Sequence, residues 1–132
     1  MSVDAAPYQV LLVDDEPTVL AALRLAFEDD PAFAMTVARS AEEALAVAGA
    51  RVVDLVITDK NLPDRSGIEL ARQLRRTHPW LPIILITGYA NAPSRKEGSE
   101  IGLAAYLEKP FADIFAVPAL ALEVLRRNKA AS

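Results

Sequence analysis

The sequence predicts an α/β domain in which a doubly wound, five-stranded parallel sheet carries helices on both faces. Five short apolar segments recur along the chain, at Val10–Val13, Phe33–Ala38, Leu55–Ile57, Ile83–Ile86 and Ala105–Leu107. Most are continuous runs without polar alternation, as expected of strands buried on both faces. Stretches with helical spacing separate them, and strands alternating with helices imply a parallel sheet with right-handed crossovers. The 132 residues, 52% hydrophobic and 24% charged, suit one compact domain with enough apolar surface for a full core.

Each element has its own local signal. Residues 1–7 read as a loose tail, 8–127 as the domain and 128–132 as a second tail. Val10-Leu11-Leu12-Val13 gives the first strand and ends in Asp14-Asp15. Pro17 falls in the first turn of the next helix, where its missing N–H costs nothing. Val19, Leu20, Leu23 and Phe27 form that helix's inner stripe, and Asp29-Asp30-Pro31 stops it. Phe33–Ala38 is the second strand. Ser40 and Glu43 then form a capping box, with Ala41, Ala44, Leu45 and Ala48 on one face and Gly49 expected as the stop. Leu55-Val56-Ile57 leads to Asp59, and a loop with Pro63 and Asp64 follows. Ser66 and Glu69 make a second capping box, with Gly67, Leu70, Ala71 and Leu74 sharing a face. Ile83–Ile86 is the strongest strand signal and ends in Thr87-Gly88. The helix after it is weak, because Gly98 and Gly102 each lower helix propensity by about 1 kcal/mol relative to alanine. Ala105-Tyr106-Leu107 ends at Lys109-Pro110. A last helix turns Leu120, Val124 and Leu125 inward and holds Pro118 at or before its first turn, since proline further in would break it.

Composition excludes several functions. With no cysteine there are no disulfides, thiolate metal sites or thiol catalysis. One histidine, His78, cannot build a histidine-rich metal centre, and its place beside Pro79 marks a turn residue. A net charge of −4 argues against nonspecific nucleic-acid binding. No apolar run approaches the roughly 20 residues that span a bilayer, and residues 1–7 do not read as a secretory signal. A cytoplasmic protein is expected.

In a parallel sheet of this kind, ligands bind beyond the carboxyl ends of the strands. Asp14 and Asp15, Asp59, Thr87 and Lys109 all fall at that edge. Taken singly, the aspartates read as helix caps or turn residues, Thr87 as a strand residue and Lys109 as a solvated lysine. Their conjunction reads differently. Two carboxylates about 4 Å apart repel by about 4 kcal/mol at an effective dielectric near 20, so three of them call for a counter-charge. Lys109 supplies one, and Mg²⁺, which favours carboxylate oxygens, carbonyls and water, would supply more. Such a pocket beside a lysine and a hydroxyl suits phosphoryl transfer, in which a carboxylate can itself be the nucleophile.

Four motifs, in order and covering about residues 8–127, carry a family resemblance. They are Leu11-Leu12-Val13-Asp14-Asp15-Glu16; Asp54-Leu55-Val56-Ile57-Thr58-Asp59 with Pro63 and Gly67; Ile84-Leu85-Ile86-Thr87-Gly88; and Tyr106-Leu107-Glu108-Lys109-Pro110-Phe111. With them the chain resembles the CheY-like response-regulator receiver domains of two-component signalling. The resemblance implies a flavodoxin-like (βα)5 fold with strand order 2-1-3-4-5. It implies that Asp59 is the phospho-acceptor and that Mg²⁺ or Mn²⁺ is held by Asp15 directly, by Asp14 mainly through water, by Asp59, and by the backbone carbonyl of Asn61. It further implies that Lys109 pairs with the acceptor and then with phosphoryl oxygens, that Thr87 turns toward the phosphoryl group, and that Tyr106 changes rotamer with it. The Lys109-Pro110 bond matches one that is cis in the family. Asp54, Pro63 and Gly67 are read as structural.

Two departures stand out. Tyr89, two residues after Thr87, carries a ring large enough to obstruct an attacking water, so Tyr89 and Asn61 are expected to set the lifetime of the aspartyl phosphate. Pro118 implies a late start for the last helix. The implied partners are a sensor histidine kinase or histidine phosphotransfer protein upstream, and a protein partner or an effector domain downstream. Neither nucleic acid nor membrane is expected as a direct partner, while a phosphorylation-linked dimer is compatible with the fold. The chain is not expected to be an enzyme beyond catalysing its own aspartyl phosphorylation and dephosphorylation. Three other readings compete with this one. A constitutive interaction module would show loss of an acid, the threonine or the lysine, and none is lost. A flavin carrier needs a phosphate-cradling loop where Asp14-Asp15-Glu16 stands. An aspartyl phosphatase has a second aspartate where Asn61 stands.

Overall fold

The computed structural model describes residues 6–88, 101–109 and 111–131. Five parallel strands, β1 (Tyr8–Val13), β2 (Phe33–Ala38), β3 (Leu55–Asp59), β4 (Ile83–Thr87) and β5 (Ala105–Glu108), form one sheet in the order β2-β1-β3-β4-β5. Four α-helices lie among the described residues: α1 (Pro17–Glu28), α2 (Ala41–Ala50), α3 (Gly67–Thr77) and α4 (Val117–Ala131). The helix expected between β4 and β5 falls mainly on residues 89–100, outside the described ones, as do Tyr89, Gly98 and Pro110.

The sheet separates two apolar layers. On one face Val10, Leu12, Leu55, Ile57, Ile84 and Ile86 pack with Leu20, Leu23 and Phe27 of α1 and Ala121, Val124 and Leu125 of α4. On the other, Leu11, Val13, Val56 and Ile83 pack with Ala41, Ala44 and Ala48 of α2 and Leu70, Ala71 and Leu74 of α3. The continuous apolar runs thus have a direct cause: successive side chains of a strand point to opposite faces, and here both faces are covered. Each fully buried leucine or isoleucine contributes about 1.5–3 kcal/mol. Phe27 and Phe33 meet edge to face with centroids 4.9 Å apart, closing the layer beside the edge strand β2.

The helix starts follow their local chemistry. Ser40 Oγ accepts from the Glu43 N–H at 3.1 Å and Ser66 Oγ from the Glu69 N–H at 3.0 Å. The Glu43 carboxylate reaches back to the N–H of Arg39, one residue earlier than a closed capping box requires. Asp64, from the β3–α3 loop, adds a second cap to α2 by accepting from the Ala41 and Glu42 N–H groups, both at 2.9 Å. Pro17 opens α1 as expected. The late start of the last helix also appears, as a 3₁₀ turn at Ile114–Ala116 that leads into α4 with Pro118 as its second residue.

Two boundaries differ from expectation. Gly49 does not end α2, which runs to Ala50 and stops at Arg51. Gly49 keeps an ordinary negative φ, so the helix passes through it, and the extended backbone of Arg51 ends the turn. Leu120 turns inward as expected, half-buried and packed against the core beside Val117, Ala121, Val124 and Leu125 of α4. The helix also continues to Ala131, past residue 127 where the compact part was expected to end.

Two contacts fix the two ends of β3. Asp54 Oδ2 accepts from the Gln9 N–H at 2.7 Å and the Asp54 N–H donates to the Gln9 carbonyl at 2.8 Å, which clamps the entry of β3 to β1. The Gly67 N–H donates to the Lys60 carbonyl at 2.6 Å, and a Cβ at Gly67 would stand 2.0 Å from the carbonyl oxygen of Asp59. Only glycine lets α3 start this close to the end of β3. Gly67→Ala is therefore expected to lower stability by about 1–3 kcal/mol, measured by urea denaturation. An unchanged midpoint would show that the start of α3 is free to relax.

Candidate functional site

The site lies where the strand order reverses. β1 is flanked by β2 and β3, and the crevice beyond their carboxyl ends is where such sheets bind ligands. Asp14 follows Val13, the register partner of Thr58, so Asp14 and Asp59 stand side by side. Strand alternation places the charged groups together. Asp14 continues the parity of Val10 and Leu12, Asp59 that of Leu55 and Ile57, and Lys109 that of Ala105 and Leu107, all on the α1–α4 face.

The resulting cluster is compact. One carboxylate oxygen from each of Asp14, Asp15 and Asp59 lies within 4.8 Å of the others. Asp14 is fully buried, Asp59 nearly so, and Asp15 is exposed at the rim. The Lys109 ammonium sits among them, 3.2 Å from Asp59 Oδ1 and 3.7 Å from Asp14 Oδ2. Its shortest contact is to a residue that sequence reasoning missed, Glu16 Oε1 at 2.9 Å. The only available signal was the third consecutive acid in Asp14-Asp15-Glu16.

Backbone contacts hold the frame. Asp14 Oδ1 accepts from the Glu16 N–H at 2.9 Å. The Lys109 N–H donates to the Thr87 carbonyl at 2.9 Å, and the Lys60 N–H to the Ile86 carbonyl at 2.8 Å. Thr87 is buried at the end of β4, one residue past Ile86, the register partner of Asp59. Tyr106 is half-buried on β5, where it pairs with Leu85 while Glu108 pairs with Thr87. By alternation Thr87 and Tyr106 therefore lie on the same sheet face, two positions apart. Asn61 follows β3 in an exposed loop and bridges to Ser66. His78 caps the end of α3 and packs edge-on to Trp80, away from this edge, in agreement with a turn role.

The electrostatics are under-compensated. Burial pushes the Asp14 carboxyl up, and the Asp59 charge adds to this against the Glu16 backbone bond. Burial also pushes Asp59 up, against the opposing pull of Lys109. Burial alone would lower the Lys109 ammonium, but its bond to Glu16 and the charges of Asp14 and Asp59 outweigh that and hold it above its ordinary value. Asp14 Oδ2 is buried without a hydrogen-bond partner. An orphaned buried carboxylate oxygen, in a set of hard oxygen donors carrying more negative than positive charge, fits a small divalent cation such as Mg²⁺. Asp14, Asp15 and Asp59 can supply the ligands.

These shifts have a consequence for stability. The folded protein holds the Asp14 and Asp59 protons more tightly than the unfolded chain does. Their contribution to stability therefore falls as pH rises from 3.8, the ordinary carboxylate value, through the raised folded values. In metal-free buffer Asp59→Asn is expected to melt above the wild type near neutral pH, with the gap closing as pH falls toward 3.8. Equal melting temperatures across that range, read by circular dichroism, would contradict the unfavourable ionisation of Asp59.

Comparison with known proteins agrees with this geometry. The model of the response regulator receiver domain matches residues 10–117. The transcriptional regulatory protein FixJ of Rhizobium meliloti (strain 1021) is 35% identical over 113 residues, 86% of this chain and 55% of FixJ. The chain thus spans about half of FixJ, and 22% of the alginate biosynthesis transcriptional regulatory protein AlgB of Pseudomonas aeruginosa, to which it is 30% identical over 102 residues, 77% of this chain. The signal receiver domain of an HD domain-containing protein from Pseudomonas fluorescens Pf-5 superposes with a TM-score of 0.88 at 26% identity, covering 99% of this chain and 96% of that one. A CheY-like receiver domain protein from Methanospirillum hungatei JF-1 does so with a TM-score of 0.87 at 25% identity, covering 96% and 99%. With its flavodoxin-like strand order, its acidic edge and this match over most of its length, the chain belongs to the response regulator receiver domain family.

Proposed function

We propose that this domain accepts a phosphoryl group on Asp59 from a phosphohistidine of a sensor histidine kinase or a histidine phosphotransfer protein. The observation that carries the reading is the pairing of a nearly buried carboxylate with the Lys109 ammonium at 3.2 Å, inside a cluster whose acids fit Mg²⁺. An Asp59 oxygen attacks phosphorus in line, and a P–O bond forms as the P–N bond of the phosphohistidine breaks. The electron pair stays on the departing imidazole nitrogen. Mg²⁺ or Mn²⁺ bound by Asp14, Asp15, Asp59 and the Asn61 carbonyl would offset the charge on the phosphoryl oxygens. Lys109 adds a preorganised positive charge at the place where negative charge develops. Dephosphorylation is a separate step, in which water attacks phosphorus, the P–O bond to Asp59 breaks, and inorganic phosphate leaves with the Asp59 carboxylate restored; we assign control of its rate to Asn61 and Tyr89. In this reading the domain catalyses only its own phosphorylation and dephosphorylation.

Output follows from a shift of a two-state surface. Thr87 turns toward the phosphoryl group and Tyr106, on the same sheet face, moves with it. The surface they bias then meets a downstream protein or an effector domain of a longer regulator, with or without dimerisation. No helix among the described residues is long and apolar enough to cross a membrane. We assign the domain a cytoplasmic site of action, without direct nucleic-acid or membrane contact.

Incubation with acetyl phosphate and Mg²⁺ is expected to add about 80 Da, the mass of a phosphoryl group replacing a proton on the nucleophile, by intact mass spectrometry. The gain should vanish without divalent cation and in Asp59→Asn. A gain that survives Asp59→Asn would move the acceptor elsewhere. No gain, together with no binding of beryllofluoride, would favour a constitutive interaction module. Tyr89→Ala is expected to shorten the lifetime of the phosphorylated form by opening a path for water; an unchanged decay rate would remove Tyr89 from that role.

A further inference from the structure

We infer that Glu16 is a positioning residue for Lys109, an anchor that holds the ammonium at the mouth of the pocket and competes with the group that arrives at Asp59. This deepens, and rests on, the reading of Asp59 as phospho-acceptor.

The local geometry sets Glu16 apart from an ordinary helix cap. Glu16 is the N-cap of α1, yet its side chain makes no capping bond. It reaches instead across to the Lys109 Nζ at 2.9 Å, a closer contact than the 3.2 Å from Nζ to Asp59 Oδ1. Its backbone is fixed from two sides: the Glu16 N–H donates to Asp14 Oδ1 at 2.9 Å, and the Glu16 carbonyl accepts from the Leu20 N–H at 3.1 Å. Pro17, the next residue, further restricts the backbone conformation of Glu16. The carboxylate is thus held on a short, tethered arm.

The exposures give the contact its direction. The side chain of Glu16 is 54% exposed, that of Lys109 21% and that of Asp59 7%. Lys109 is therefore suspended between an outer acid in water and an inner acid in the pocket. An ammonium has three donors on one flexible stem. A phosphoryl group on Asp59 presents several new acceptor oxygens, which compete with Glu16 for the Lys109 donors. The outer pair is partly solvated, and exposed pairs of this kind contribute modestly. Glu16 accordingly tunes the balance between the two forms of the domain and does not block the reaction.

Two substitutions separate an anchor from a simple charge. Glu16→Gln removes the charge. Glu16→Asp keeps it but shortens the arm by one methylene, which takes the carboxylate out of reach from a fixed backbone. The rate of mass gain from acetyl phosphate at fixed Mg²⁺ is expected to rise about two- to fivefold in both variants, the range set by the worth of a partly exposed pair. Unchanged rates in both, or slower rates in both, would overturn the inference. A faster Glu16→Gln with an unchanged Glu16→Asp would also overturn it, because the effect would then be general charge repulsion of an anionic donor. A double-mutant cycle of Glu16→Gln with Lys109→Met, read by urea denaturation in metal-free buffer, tests the anchor without any phosphorylation. Non-additive losses are expected, and strict additivity would contradict the anchor. If the wild type gains no mass while the cycle is non-additive, the phospho-acceptor reading fails and the Glu16–Lys109 contact stands.

Discussion

The site depends on one ammonium group. Lys109 Nζ lies within 4 Å of carboxylates from the end of β1, the start of α1 and the end of β3, and the Lys109 N–H is bonded to the end of β4. Without that cation, two buried aspartates would face each other in a poorly solvated crevice, where an unpaired charge is strongly unfavourable. With it, the crevice still holds more negative than positive charge among the described residues, because Asp14, Glu16 and Asp59 share Lys109 and Asp15 stands beside them. Such a pocket is stable enough to fold and still favours a further cation. The same imbalance that weakens the metal-free fold suits the site to a divalent cation.

The surrounding fold keeps this arrangement rigid where it needs to be. Gly67 lets α3 begin against the carbonyl of Asp59, and Asp54 clamps the other end of the same strand to β1. Asp64 ties the β3–α3 loop to the start of α2. On the far side, the Arg75 guanidinium donates to the carbonyls of Pro79 and Gly102, both at 2.8 Å, and so links the end of α3 to the segment entering β5. Gly102 adopts a φ of +79°, a left-handed conformation that glycine takes without strain. The strand that delivers Lys109 is thereby fixed at both its entrance and its exit.

Much of this was legible in the sequence because strand alternation is a strict rule. Val10-Leu12-Asp14, Leu55-Ile57-Asp59 and Ala105-Leu107-Lys109 each place a charge on the face already set by two apolar residues, so the convergence follows once the strands are parallel. The capping serines and the proline starts were equally local, and they appear as read. Other features depended on distances between remote segments. Glu16 meets a lysine 93 positions away, and nothing in its own neighbourhood separates a partner of Lys109 from a plain cap. Asp64 caps a helix that precedes it by more than twenty residues. Gly49 carried a stop signal that the helix does not use: it keeps a negative φ, and α2 runs on until Arg51 leaves the helical conformation. The roles of Tyr89 and Pro110 fall on residues outside the described structure.

The most direct measurement of the central claim is the anomalous scattering of Mn²⁺ introduced into crystals of the unphosphorylated protein. The under-compensated acidic edge predicts a single strong peak among the carboxylates of Asp14, Asp15 and Asp59, lost in Asp14→Asn. The absence of a peak at saturating Mn²⁺, or a peak on other acids alone, would contradict it and leave Lys109 as the counter-charge of the cluster among the described residues.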